Sequence, residues 1–368
     1  MAAEGIPLES AKWNALSKEN VSLLDEWNSG LIEKQLLSYM FRVNYDYNNK
    51  YLLTVSGRWD GASQLAEGNK WAFFPSAALG WRLDQEEFLK DVTWLNQLKF
   101  RLGVGVTGNS AIDPYQTKGA IVSLYYPFGA TLAPGYAASE PLIKDGAVAM
   151  ANKDLSWEKT TQYNIGLDYS VLNGRISGVL DFYTSRTTDL LMAMTIPSLN
   201  GYTNTYANVG KTSNIGVDIT LNTVNIKTRD FEWSTSINAA WQKDKIDELA
   251  NGKEDDINNN WFIGQALGVI YGYECGGLWK EEDAAEMAKF NAKGHSFQAG
   301  MVRPVDQNGD YKIDPNDDRV IIGHTRPRWT FGMTNTFTYK NFDLSVMMYG
   351  RFDYMVDTGG EWQGGRYM

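Results

Sequence analysis

The stretch LLSYMFRVNYDY at residues 36–47 alternates apolar and polar side chains almost without interruption. One side of the extended chain would carry only apolar and aromatic residues, namely Leu37, Tyr39, Phe41, Val43, Tyr45 and Tyr47. The opposite side would carry Ser38, Arg42, Asn44 and Asp46, with Met40 as the exception. Because successive side chains of a strand point to opposite faces, this period of two predicts a β-strand with one apolar face, and not a helix.

The same alternation recurs along the chain, at residues 51–60, 162–171, 214–222, 231–242 and 329–339. Runs of about ten residues have the length at which a tilted strand crosses a bilayer, whereas strands of globular proteins average nearer five or six. Aromatic residues cluster toward the ends of these runs, as at Trp59, Trp81, Trp233 and Trp241, where their rings would lie at the level of the lipid headgroups. Counting the runs gives about ten or eleven strands.

The predicted connections alternate between short and long. The short ones are residues 48–49, 172–174, 227–230 and 340–341, and the long ones are residues 109–159 and 244–326. Short periplasmic turns and long external loops are typical of membrane β-barrels. The chain is therefore predicted to be all-β, part of an antiparallel transmembrane β-barrel, with strands within 36–108, 160–243 and 327–352 and long external loops at 109–159 and 244–326.

The composition excludes several classes of protein. No stretch approaches 18 consecutive apolar residues, which excludes transmembrane helices. The net charge is −10 and basic runs are absent, so we expect no nucleic-acid partner. Residues 1–7 lack the basic segment and apolar core of a signal peptide. Residues 364–368 do not resemble a closing strand, and an open sheet edge in lipid is prohibitively costly. We therefore expect these residues to be part of a larger barrel.

An ordered set of short segments adds a resemblance. The segments are NKYLLT (49–54), RWDGAS (58–63), FPS (74–76), GWR (80–82), LKFRLG (98–103), TGN (107–109), WEKTTQYNIGL (157–167), DFY (181–183), DQNGD (306–310) and RVIIG (319–323). In this order they resemble the SusC/RagA family of TonB-dependent outer-membrane transporters, from about Gly5 to the end of the chain.

The resemblance implies a barrel of 22 strands in the bacterial outer membrane, which imports oligosaccharides or, as the less favoured cargo, peptides. It also implies two partners, a SusD-like surface lipoprotein that caps the barrel and the TonB complex that supplies energy. A signal peptide, an N-terminal domain, a TonB box and a plug would precede this chain, and we expect it to lack all four. Two other functions stay open: a passive porin or barrel adhesin, and a soluble Ca²⁺-binding β protein that binds carbohydrate.

The segment DQNGDYKIDPND at residues 306–317 has the spacing of a calcium-binding loop. Side-chain oxygens fall at loop positions 1, 3, 5, 9 and 12, and the carbonyl of Lys312 falls at position 7. The five side chains are those of Asp306, Asn308, Asp310, Asp314 and Asp317. Tyr311 stands where such loops have an invariant glycine, and Asp317 is shorter than the usual glutamate. The prediction is a structural Ca²⁺; the alternative is an acidic external loop without an ion.

Aromatic residues in the long loops are the natural platforms on which a sugar ring would stack. The main candidates are Tyr202, Tyr206, Trp261 and Trp279, with Asn260 beside Trp261 to meet hydroxyl groups. Further candidates are Tyr125, Tyr126, Tyr136, Asn258 and Asn259. Packing against a plug or a lid is the alternative role for each ring. Residues 281–291 predict a short helix, and four lumen-side arginines are expected to bind the plug, namely Arg42, Arg58, Arg82 and Arg101.

Neither a nucleotide site nor a catalytic site is predicted. GVGVTG at residues 103–108 matches the G-x-G-x-x-G pattern, but a dinucleotide site needs a helix to begin there, and the following residues show none. The chain has two histidines, His295 and His324, without partners at ligand spacing, and no pair of carboxylates stands out. The single cysteine, Cys275, cannot form an internal disulfide. The sequence therefore predicts that the chain is not an enzyme.

Overall fold

The computed structural model describes residues 32–118, 120–128, 131–140, 142–144, 147–197, 199 and 204–356. These residues form strands β1 Leu36–Tyr47, β2 Tyr51–Ala62, β3 Trp71–Arg82, β4 Leu95–Asn109, β5 Ala120–Phe128, β6 Thr131–Glu140, β7 Leu142–Lys144, β8 Ala147–Met150, β9 Glu158–Val171, β10 Ile176–Thr188, β11 Leu191–Thr195, β12 Asn204–Asn208, β13 Lys211–Lys227, β14 Phe231–Glu248, β15 Val269–Tyr273, β16 Cys275–Leu278, β17 Val302–Pro304, β18 Arg319–His324, β19 Trp329–Tyr339 and β20 Phe342–Phe352.

Ten long strands form one antiparallel sheet, which we call the wall. Its order is β1-β2-β3-β4-β9-β10-β13-β14-β19-β20, so the strands of the wall lie side by side in the order in which they occur along the chain. The number of strands and their antiparallel pairing confirm the prediction of a partial barrel, and the sheet is not closed. The edges of the wall are β1 and β20.

The short turns have the backbone geometry that a tight hairpin requires. Asn48 and Asn49 both adopt positive φ, at 56° and 55°, as in a type I′ turn, in which asparagine is tolerated. The amide of Asn49 donates to Asp46 Oδ1 at 2.7 Å. Leu172, Asn173 and Gly174 also have positive φ in the turn between β9 and β10. These turns lie at one end of the wall, called the short-turn end, and the opposite end is called the long-loop end.

The register confirms that the wall has two chemically different faces. One rung runs through Tyr45, Leu53, Leu79, Leu102 and Ile165 on five successive strands. All five side chains are apolar or aromatic, as expected for a face in contact with lipid. The G-x-G-x-x-G segment at residues 103–108 lies inside β4, and no helix begins in the described residues 110–118 that follow this strand.

On the opposite, polar face, three of the four lumen-side arginines have carboxylate partners in this chain, and the binding of Arg42, Arg58, Arg82 and Arg101 to a plug stays a prediction. Arg58 Nε lies 2.6 Å from Asp60, and Arg82 lies 2.8 Å from Asp84. Asp60 follows Arg58 within β2, where a strand places residues two apart on the same face, whereas Asp84 lies in the 3₁₀ turn Leu83–Gln85 that follows β3. Arg101 has partners in the wall as well, described below. Each of these three arginines therefore has an acidic partner in the wall or in the connection that follows β3.

Segments beyond the long-loop end form small sheets instead of open loops. These sheets pair β5 with β6, β15 with β18 and β16 with β17, and a four-stranded sheet has the order β11-β12-β8-β7. The helix predicted at residues 281–291 is confirmed as a 3₁₀ turn at Glu281–Asp283 followed by α1 at Ala284–Ala292. Other 3₁₀ turns lie at Leu83–Gln85, Glu87–Leu89 and Ile257–Asn259. No helix in the described part of the chain is long and apolar enough to cross a membrane.

Two compact apolar cores stabilise the long-loop end. The first surrounds Trp157 and Phe74, whose rings meet edge to face at 5.3 Å, and the indole N–H of Trp157 donates to the Lys70 carbonyl at 2.8 Å. The second surrounds Trp279, Met287 and Phe290. Burial of large side chains of this kind is the main source of packing energy in a small unit.

Candidate substrate-binding site at the long-loop end

A cavity of about 530 Å³ lies at the long-loop end, where the 249–261 segment meets β11 and the start of β18. This volume falls in the range of small-molecule binding sites. Its lining combines one tryptophan, two methionines and a set of polar side chains, which include Trp261, Met192, Met194, Asn251, Asn258, Asn259, Asn316 and Arg319.

Trp261 is held in the cavity wall by a small turn. Its backbone N–H and C=O pair with Asp256 at 2.9 and 2.8 Å, and the carboxylate of Asp256 caps the 3₁₀ turn by accepting from the Asn259 amide at 3.2 Å. The side-chain amide of Asn259 donates to the second oxygen of Asp256 at 2.7 Å. A backbone that is already held in this way loses little freedom when a ligand stacks on the ring that it carries.

The charged groups of the cavity are largely engaged by neighbouring groups. Asp255 Oδ1 accepts from the Ile263 amide at 2.7 Å. Arg319 lies over the ring of Tyr271 at 4.8 Å and donates to the Pro315 carbonyl at 2.7 Å. Glu254 also lines the cavity and is exposed, so the cavity can meet a ligand through the Trp261 ring, side-chain amides and this carboxylate. Such a surface suits a ligand rich in hydroxyl groups.

The other predicted binding residues are distributed differently. Asn260 is exposed and does not line the cavity. It ends the 3₁₀ turn with φ 56°, a left-handed conformation that asparagine tolerates, so it has a structural role in the turn. Tyr206 is half-buried and packs against the first core. Tyr202 lies outside the described residues, as do the side chains of Tyr125, Tyr126 and Tyr136.

The prediction for Trp279 is wrong. Its side chain is 1% exposed, and it packs against Phe290 and Phe297 at 5.6 Å with the guanidinium of Arg303 over its ring at 4.5 Å. No face of this ring is free for a sugar. The covering side chains come from α1, from the residues after it and from β17, and the composition of a loop does not show which of its aromatic residues such neighbours will cover.

The predicted calcium residues lie in one turn-rich loop, where their oxygens accept backbone amides. Asp306 accepts from Gly309 and Tyr311, each at 2.7 Å, and Asp310 Oδ1 accepts from Lys312 at 2.7 Å. Asn308 Oδ1 accepts from the Asp310 amide at 3.0 Å. Tyr311 has φ 64°, the conformation for which calcium loops use glycine at this position. The backbone of the loop thus has the expected turn.

Lys312 and the end of the loop depart from the predicted ligand set. Lys312 Nζ binds Asp314 at 2.9 Å, and this bond, with the Asn316 and Asp317 amides, lowers the pKa of Asp314 to about 2. Asp317 is exposed, whereas Asp318 is fully buried and accepts from the amides of Gln307 and Asp314. Among the residues that the structure describes, no three His, Cys, Asp or Glu side chains group as metal ligands. The ion stays a prediction.

Both histidines have local structural roles. His295 Nε2 accepts the Ile313 amide at 2.9 Å and its ring stacks on Phe297 at 5.1 Å. His324 Nδ1 lies 2.8 Å from the Arg326 carbonyl. The cavity residues that were not predicted from the sequence include Met192, Met194, Asn316 and Arg319. The first two alternate in a short strand, which is the signal that they share one face.

Comparison with known proteins places this architecture in a family. A profile of the family described as "TonB dependent receptor-like, beta-barrel" matches residues 14–368. The TonB-dependent receptor SusC of Bacteroides thetaiotaomicron is 34% identical over 361 residues, which cover 92% of this chain and 33% of that protein. The TonB-dependent receptor P26 of Formosa agariphila is 33% identical over 359 residues, 95% of this chain and 35% of that protein.

Among solved structures, the RagAB peptide importer in its open-open state superposes with a TM-score of 0.72 at 24% identity, over 91% of this chain and 35% of that one. This likeness shows the fold. The chain spans about a third of the length of the curated relatives it matches. The relatives are named as receptors, not as enzymes. This chain therefore belongs to the TonB-dependent receptor β-barrel family, whose members lie in the outer membrane of Gram-negative bacteria.

Proposed function

We propose that this chain forms part of the wall and outer loops of an active importer that takes up oligosaccharides together with a SusD-like surface lipoprotein. In this proposal further strands complete a barrel of 22, and the TonB complex supplies the energy. The short-turn end faces the periplasm and the long-loop end faces outward, as in other outer-membrane barrels. A place in the outer membrane is incompatible with the soluble β protein considered from the sequence, so that alternative is discarded.

The observation that carries the proposal is the cavity around Trp261. It opens at the long-loop end, where a nutrient would arrive from outside, and it offers one aromatic face among side-chain amides. Hydroxyl groups can both donate to and accept from an amide, and a pyranose face can stack on an indole ring. The chemistry suits an oligosaccharide, because a sugar face can stack on the Trp261 ring while its hydroxyl groups meet side-chain amides and the exposed carboxylate of Glu254.

The polar face of the wall supports a transport role in a second way. Some of its charged groups pair with one another, as Arg101 does with Asp168 and Asp181, so the interior presents fixed polar groups at that point. An interior of this kind is typical of barrels that pass or hold polar solutes. A passive porin or adhesin would share this wall, so the distinction from an active importer rests on energy dependence.

The experiment that tests the binding site uses the purified full-length protein that contains this chain. Calorimetric titration with maltohexaose, xylohexaose and laminarihexaose, and with a tryptic peptide mixture, should show binding of at least one oligosaccharide. Trp261→Ala should weaken that binding about three- to tenfold, the effect expected from loss of one aromatic contact. The matched control is Trp94→Ala, an exposed tryptophan at the short-turn end. Binding of peptides alone would overturn the oligosaccharide assignment.

We also propose, as a second and structural function, that the 306–317 loop holds a Ca²⁺ ion. The positive φ of Tyr311 supports it, because the loop makes the turn that calcium loops make at this position. The ligands would be the side chains of Asp306, Asn308, Asp310, Asp314 and Asp317 with the carbonyl of Lys312. Binding would require Asp314 to exchange its ion pair with Lys312 for the metal.

A further inference from the structure

The lipid-facing side of the wall contains two apolar hollows that join. The hollow nearer the short-turn end has a volume of about 450 Å³ and the next one about 370 Å³. Both are lined by Leu79 and Leu102, so they form one continuous feature, which we call the outer groove. Its other principal side chains are Trp81 and Phe100 in the first hollow and Ala77 and Tyr163 in the second.

The groove arises from the sizes of successive side chains on the outward face of β3. Trp81, Leu79 and Ala77 alternate with lumen-facing residues, and each pairs with a residue of β4 on the same face. The large ring at residue 81 and the single methyl group at residue 77 make the surface deepen away from the short-turn end. Tyr163 on β9, which pairs with Val104, then bounds the groove on its far side.

A polar cluster stands at the short-turn end of the groove. Glu86, in the β3–β4 connection, accepts from the Trp81 indole at 3.0 Å and from the Tyr51 hydroxyl at 2.9 Å. Its other oxygen lies 3.3 Å from Lys50 Nζ. The rings of Tyr51 and Trp81 are stacked, with centroids 6.5 Å apart. The carboxylate of Glu86 therefore holds the two rings that line this end of the groove. An ammonium group has three donors, so Lys50 keeps capacity for an acceptor from outside the protein.

We propose that the outer groove binds one acyl chain of a phospholipid whose phosphate lies against Lys50. Residues 81 and 77 are four positions apart, which at about 3.3 Å per residue makes the groove about 13 Å long. At the tilt of about 40° that is usual for barrel strands, this length spans about 10 Å of depth, or about two thirds of a leaflet about 15 Å thick, so an acyl chain that enters beside Trp81 follows the groove over that part of its leaflet. The apolar lining and the cation at its mouth match the two parts of such a lipid.

The orientation of the wall decides which acyl lipid the groove meets. Lys50 lies in a short turn, and short turns of outer-membrane barrels lie on the periplasmic side. The phosphate-bearing lipid there is a phospholipid. Lipid A also combines phosphate with acyl chains, but it would have to approach from the long-loop end, where the groove has no polar cluster of this kind among the described residues.

Native mass spectrometry of the full-length protein, released from nanodiscs that contain both phosphatidylethanolamine and lipopolysaccharide, tests this site. We expect one retained phosphatidylethanolamine per protein. Ala77→Trp should fill the second hollow and lower that occupancy about tenfold, because several methylene contacts are lost. The matched control is Ala239→Trp, which adds the same ring to the same face beside Phe331, outside the groove.

A second variant keeps the test independent of how well the wall folds around a new ring. Lys50→Gln lies in the turn and should lower phospholipid occupancy about fivefold, the effect of one cation near a phosphate. Retention of the lipid at wild-type occupancy in Ala77→Trp would overturn the proposal. So would equal loss in Ala239→Trp, or retention of lipopolysaccharide in place of phospholipid. None of these outcomes bears on substrate binding, so the site stands or fails separately from the proposed import function.

Discussion

Arg101 on β4 binds Asp181 on β10 at 3.0 Å, although the whole of strand β9 lies between them. The guanidinium reaches across because residue 166 on β9 is glycine. A Cβ atom at Gly166 would lie 2.6 Å from Arg101 Cζ and 2.6 Å from Asp181 Oδ1. Arg101 also binds Asp168 at 2.8 Å, so a single cation joins three strands of the wall.

Gly166→Ala should therefore destabilise the wall by about 1.5–3 kcal/mol, the typical value of a hydrogen bond to a charged group. The measurement is thermal unfolding of the full-length protein in detergent. Gly103→Ala is the matched control, since its Cβ would lie 3.9 Å from Asn164 and make only an ordinary contact. Equal melting temperatures for both variants would show that the bridge across Gly166 contributes nothing to stability.

The calcium proposal makes a specific prediction about Lys312. Its ammonium group forms an ion pair with Asp314, which is one of the proposed Ca²⁺ ligands. Lys312→Ala removes this competitor and keeps the backbone carbonyl at position 7, so the variant should bind Ca²⁺ more tightly than the wild type. Asp306→Ala should abolish binding in the same calorimetric titration. If neither protein binds Ca²⁺ at millimolar concentration, the loop is an acidic turn held by its own backbone amides.

Glu86 should make the short-turn end sensitive to acid. Bonds from the Trp81 indole, the Tyr51 hydroxyl and Lys50 hold the pKa of Glu86 below its usual range. A carboxylate with a lowered pKa stabilises the fold above its ordinary pKa, and that contribution is lost as the pH falls through the lowered value. The wild type should therefore lose more stability than Glu86→Gln when the pH falls from neutral to below 4. Parallel stability profiles for the two proteins would contradict this role.

The wall could be predicted from the sequence in unusual detail, because strand alternation is a local property. Residues 36–47 and 329–339 form strands with the predicted bounds. Side-chain contacts that reach across an intervening strand could not be predicted in this way. Nothing local to Arg101 shows that it meets Asp181, since that contact depends on the register of β9 and on the missing side chain at Gly166.

The long-loop end was less predictable for the same physical reason. Trp261 and Trp279 both stand in the segment 244–326, yet one lines the cavity and the other is buried beneath α1. Their fates depend on which segments pack together, and the sequence gives no period that encodes this. Asp318 illustrates the point at a single residue, since it is the buried carboxylate of its loop while its neighbour Asp317 is exposed.

Uptake of a fluorescently labelled oligosaccharide by cells is the most direct test of the account. The cells would carry the full-length protein as wild type, Trp261→Ala or Trp94→Ala, each with and without a working TonB complex. We predict that wild-type and Trp94→Ala cells accumulate the sugar only when TonB is active, and that Trp261→Ala cells accumulate it several-fold more slowly at low concentration. Accumulation at the wild-type rate without TonB would contradict the account and establish a passive pore.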